Sequence, residues 1–131
     1  MGFRFEFDAL NKVLLLRLEG PLTDQLLAEV YQAVRERSEA TNAGAGIIDF
    51  SSVTEIAVSA EFIRKMARRD PAMPDPSRPR FLVVPIPAVF GLARMFQILG
   101  ESTRPLLQVV HTMDEALSAL GIQRPRFEPL A

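Results

Sequence analysis

Three short apolar runs, at residues 47–50, 81–84 and 106–110, alternate with stretches of helical periodicity. Runs this short have the length of strands covered on both faces and are too brief for buried helices. When strands alternate with helices, neighbouring strands pair in parallel, because a crossover must carry the chain back before the next strand can start in the same direction. The sequence therefore predicts an α/β domain with helices packed on a sheet.

The N-terminus predicts strands of another kind. Phe3, Phe5 and Phe7 alternate with Arg4 and Glu6, a period of two that buries one face. A turn over residues 8–12 leads to a second apolar run at 13–18, which makes an antiparallel hairpin. The expected sheet is thus mixed, an N-terminal antiparallel hairpin plus parallel strands, in the order ββαβαβαβα. Gly20-Pro21 should end the second strand. Thr23 is placed to cap a helix carrying Leu27, Val30, Tyr31 and Val34 at helical spacing, with Leu22 and Leu27 as a hydrophobic staple. A second helix over about 59–69 should bury Phe62, Ile63 and Met66. Pro71, Pro74, Pro76 and Pro79 deny regular structure to the stretch that follows. A third helix is expected over 88–99, and a last one opens on the capping box Thr112-Met113-Asp114-Glu115 and closes at Gly121. A single domain over 3–121 is expected, with 122–131 a loosely ordered tail.

Composition narrows the function classes. At 131 residues the chain can bury about two-thirds of its unfolded surface in one core. Fifteen Lys and Arg against sixteen Asp and Glu give a net charge of -1, which offers no general attraction for nucleic acid. No cysteine and one histidine leave no usual zinc set, and neither phosphate-binding glycine motif is present, so no metal and no cofactor are expected. No apolar run approaches the roughly 20 residues of a membrane span. The N-terminus lacks a signal peptide's apolar core. A soluble cytoplasmic protein without an integral membrane segment is the expectation.

Four groups of residues are candidates for function. Asp49, Ser51 or Ser52, Ser59 and His111 lie at or near strand ends, where open α/β sheets usually bind ligands, and are the one conceivable hydrolytic group. The chain has no G-x-S-x-G elbow, and an enzyme is not expected. Ser59 opens the second helix, either as an N-cap or as a site where the helix dipole would favour an added phosphate. The third helix is apolar on nearly every side. Phe90, Met95 and Phe96, with Arg94 as the lone charge, mark it as an interaction or ligand surface if neighbouring helices do not cover it. Gly91 costs helix stability and suggests a close approach. Arg64, Lys65, Arg68 and Arg69 make a basic patch that either complements the helix C-terminus or meets an anionic headgroup or acidic protein.

Two segments carry a resemblance. Gly46-Ile47-Ile48-Asp49-Phe50-Ser51-Ser52-Val53-Thr54-Glu55-Ile56 and Phe90-Gly91-Leu92-Ala93-Arg94-Met95-Phe96, with the element order, resemble the STAS domain and more closely its SpoIIAA-like branch, related to SEC14-type folds, over residues 3–121. The resemblance implies a non-enzymatic regulatory or protein-interaction module with a protein partner or a second copy of itself. In its partner-switching members the second serine of a turn that reads roughly Asp-Ser-Ser-Gly is phosphorylated by a kinase partner. The matching positions here read Ala57-Val58-Ser59-Ala60, which keep only the serine. The SEC14-like side implies the alternative of a lipid or other apolar small molecule bound at the surface of helix 88–99. A dry pocket beside Phe90 and Phe96 favours that ligand, whereas a flat apolar strip favours a protein.

Overall fold

The alternation of apolar and charged residues in β1 (Phe3–Asp8) and β2 (Val13–Thr23) produces an antiparallel pair in which Phe5 faces Leu16 and Phe7 faces Leu14. The computed structural model describes residues 2–130. After the hairpin come α1 (Asp24–Thr41), β3 (Ala45–Ala57), α2 (Ala60–Arg68), β4 (Arg80–Val83), α3 (Pro87–Leu99), β5 (Leu107–Val110), α4 (Met113–Ala119) and the two-residue β6 (Glu128–Pro129). The six strands form one sheet in the order β5-β4-β3-β2-β1-β6. β2, β3, β4 and β5 are parallel, and β1 and β6 are antiparallel to their neighbours. The mixed α/β fold read from the sequence is the fold observed.

The period of two divides the sheet into two apolar faces. Leu14, Leu16, Leu18, Phe50 and Leu82 point to the face covered by α1, α2 and α3. Val13, Leu15, Ile47, Phe81 and Val83 point to the other, where Ala116 of α4 and the partly buried Ile122 and Phe127 meet them. α4 covers only part of that second face. Beyond it the strands carry Glu6, Arg17 and Asp49, linked through Arg17 Nε to Glu6 at 2.7 Å and Arg17 Nη1 to Asp49 at 2.9 Å. Charged side chains at these positions keep water-facing pleats from becoming an open apolar surface.

The helix starts follow their capping residues. Thr23 accepts a hydrogen bond from Leu26 N, Ser59 from Phe62 N and Thr112 from Glu115 N. Asn42, in the left-handed region at φ 50°, ends α1. Gly121, at φ 72°, stands just beyond α4.

Three expectations need correcting. Gly20-Pro21 does not end β2, because the strand continues to Thr23 beside β3, which runs to Ala57 and not to residue 50. Register shifts between Arg17 and Glu19 and between Gly20 and Pro21 absorb the irregularity, with Gly20 at φ 78°. The stretch after Gly121 is not loose either. Arg126 N donates to Asp8 Oδ2 at 3.1 Å, Leu130 N donates to Phe5 O at 3.0 Å, and β6 pairs with β1. Its prolines suit this position, since an edge strand can forgo a donor on its outer side. Third, α2 buries Ile63 and Ala67, while Phe62 and Met66 are only partly covered.

Candidate functional site

Two helices place the same pattern against the sheet. Leu27, Val30, Tyr31 and Val34 of α1, and Val89, Leu92, Ala93 and Phe96 of α3, each follow the spacing i, i+3, i+4, i+7 that lines one helix face. α2 stands between them and contributes Ile63 and Met66. Below lie Leu14 and Leu16 of β2, Ile48 and Phe50 of β3, and Leu82 of β4. These surfaces do not close completely. They leave a cavity of about 160 Å³, partly open and walled almost wholly by carbon.

The polar walls gather at the end where the parallel strands begin. Arg80 is the first residue of β4, and Arg104 lies three positions before β5. Both are buried, at 8% and 5% exposure. Arg104 Nη1 donates to Ala67 O at 3.0 Å, and Nη2 donates to Arg69 O at 3.0 Å and Met66 O at 3.3 Å, so the guanidinium closes the C-terminus of α2. It also lies 4.8 Å from the centre of the Phe96 ring. Arg80 donates from Nη2 to Asp75 O at 2.6 Å and from Nε to Arg78 O at 3.3 Å. Burial pushes the Arg80 pKa below the ordinary arginine value, the charge of Arg104 adds to that shift, and Asp75 opposes it. Burial lowers Arg104 likewise, against the opposing influence of Tyr31 and Asp70. Both remain cations, since arginine does not lose its proton in proteins.

The proline-rich stretch folds over this end. Tyr31 Oη donates to Asp70 O at 2.6 Å, and Arg69 stacks 3.9 Å from the centre of the same ring. Met73 is buried and lies over Gly46, where an added Cβ would sit 2.9 Å from its Sδ. Gly46 is therefore the position at which β3 admits the methionine.

The residues singled out from sequence are distributed differently. Ser59 caps α2, and its hydroxyl also donates to Asp24 Oδ2 at 3.1 Å while its N–H donates to Asp24 Oδ1 at 3.1 Å. Asp49 is paired with Arg17 and accepts from Ser51 N. His111 is exposed and stacks on Phe90, with ring centres 4.3 Å apart and planes 4° from parallel. Asp49, Ser59 and His111 are thus each engaged with a different neighbour and form no relay. On α3, Phe96 lines the cavity, Met95 packs at the margin of the core, and the exposed Arg94 donates to Gln97 Oε1. Gly91 marks no close approach, because a Cβ there would meet nothing within 4 Å. Arg64, Lys65 and Arg68 are exposed on α2, and Arg69 turns to Tyr31.

Sequence reasoning missed Arg104, Tyr31 and Met73 as parts of one site. The available signal was modest: an arginine in a turn just before an apolar strand, and a lone methionine among prolines. Among the described residues no three His, Asp or Glu side chains gather as a metal set, and no helix is long and apolar enough to cross a membrane.

The chain is a mixed α/β domain with an apolar cavity between its sheet and three helices. Compared with known proteins, it matches no family model and no curated protein.

Proposed function

We propose that this chain is a non-catalytic binding module of the STAS/SpoIIAA-like kind, whose ligand is a small apolar molecule held beneath α1, α2 and α3. The cavity carries the reading. At about 160 Å³ it compares with apolar cavities of about 150 Å³ that stay dry and take up benzene or xenon. The element order and the 46–56 and 90–96 segments support the family likeness. The separate engagements of Asp49, Ser59 and His111 support a protein that holds its ligand without transforming it.

The test is uptake of 1-hexanol or benzene by the whole chain, followed by thermal melting and by methyl chemical shifts. A ligand that binds only the folded state raises the melting temperature in proportion to its occupancy. Ala93→Leu, at a buried cavity wall, should abolish that rise while the variant itself melts near the parent. If neither compound moves the melting point or the methyl shifts of the parent, the reading is wrong.

A protein contact is the second reading, favoured by one observation. Ile98 and Leu99 at the end of α3 are 57% and 50% exposed, and Leu106 beside them in sequence order before β5 is 40% exposed. Sedimentation of the parent against Ile98→Glu decides it: an oligomer that the variant dissolves supports the contact.

A further inference from the structure

We propose that the ligand is a small carboxylic acid, with its carboxylate against Arg80 and Arg104 and its apolar body among the side chains of α1 and α3. This rests on the cavity reading above and adds the chemical class.

The cavity is polar at one end only. Its charged walls are two cations, both buried, and the rest is aliphatic or aromatic apart from Tyr31. Burying one guanidinium is costly, and burying two close together costs more unless anions accompany them. Among the described residues neither Arg80 nor Arg104 has a carboxylate within ion-pair distance; the pairs that form involve Arg4, Arg17 and Arg78. Asp75, the nearest acid in sequence to Arg80, gives its carboxylate to Ser77 and Arg78 and only its main-chain oxygen to Arg80. Main-chain oxygens hold both arginines in place, and the carboxylates of Asp75 and Asp70 act on them only from beyond ion-pair distance.

Each arginine has one nitrogen without a protein partner, and since no buried side-chain nitrogen is left unsatisfied among the described residues, both of these are reached by solvent. The hydrogen bonds of Arg80 leave from Nε and Nη2, and those of Arg104 from Nη1 and Nη2. Among these contacts Nη1 of Arg80 and Nε of Arg104 have no partner. A planar carboxylate suits such donors, because guanidinium groups bind it through directed, charge-assisted hydrogen bonds. An amine is excluded by the sign of the field. The volume sets the size of the body at about six carbons, a benzene-like ring or a short chain.

The experiment compares hexanoate, 1-hexanol and hexylammonium on the full chain by calorimetry, with competition between the first two. Hexanoate should bind about tenfold or more tightly than hexanol, as charge-assisted hydrogen bonds allow, hexanol should compete with it, and hexylammonium should not bind. Arg80→Gln should bring hexanoate affinity down to the level the same variant shows for hexanol, while Arg80→Lys should keep part of the preference. Arg104 is left intact because it closes α2. Hexanol binding equal to or tighter than hexanoate overturns the acid and leaves the cavity reading standing. No binding of either overturns both. If Arg80→Gln fails to fold, the three-ligand comparison on the parent decides alone.

Discussion

Asp8 ends β1 with no exposed surface, and its two carboxylate oxygens accept from Leu10 N, Asn11 N, Asn11 Nδ2 and Arg126 N at 2.8–3.1 Å. Burial alone would raise its pKa, but the bonds from the Asn11 side chain and from the amides of Asn11, Arg126 and Leu10 outweigh it and hold the value below the ordinary carboxylate range. The folded pKa is therefore below the unfolded one, so this stabilisation is present above about pH 4 and is lost as pH falls through the folded value. Asp8→Asn should destabilise the protein by about 2 kcal/mol at neutral pH, and urea melts should show the difference from the parent shrinking below pH 4. Ser59 gives a second test. Ser59→Ala removes the cap at a cost of about 1 kcal/mol. From the helix end alone Ser59→Asp would be tolerated, but Asp24 already holds a carboxylate at that hydroxyl. The variant should melt lower than Ser59→Ala, and adding Asp24→Asn should restore it. A double variant no more stable than Ser59→Asp would remove Asp24 from this account. The sequence announced both residues as turn or cap residues through local spacing. Their distant partners, Arg126 and Asp24, were not legible, since no local pattern pairs residues so far apart.

Among the elements, α3 shows where periodicity informs and where it stops. The apolar residues around the helix implied cover on more than one side, and α2, the sheet and the cavity supply it for Val89, Leu92, Ala93 and Phe96. Gly91 faces open space, so Gly91→Ala should stabilise the helix by up to about 1 kcal/mol and raise the melting temperature by a few degrees; no gain would mean that its small size serves a contact this structure does not contain. The tail beyond Gly121 is the opposite case. Its prolines and weak pattern concealed an edge strand, because a strand of two residues has no periodicity to read and its place is set by β1. Removing residues 122–131 should lower stability and expose β1 to intermolecular pairing. Sedimentation velocity should then show self-association of the shortened chain, and a monomer as stable as the parent would make the tail dispensable.

At the scale of the molecule, strand and helix order was legible because apolar runs and capping residues are local, whereas the cavity arises from how far three helices stand from one sheet. The sequence pointed to the ends of the parallel strands at Asp49 and His111. The cations instead stand at the strand starts, where Arg80 and Arg104 are brought together by the pairing of β4 with β5. The docking of the C-terminal segment on β1 also has a consequence in time. Arg126 and Asp8 are 118 residues apart, so at ribosomal speeds of about 5–20 residues per second the first strand waits roughly 6–24 s for the residues that seal it. Throughout that interval the nascent chain carries an open β edge, and the interval lengthens whenever translation slows, which makes residues 126–130 the ones that decide when β1 ceases to need protection.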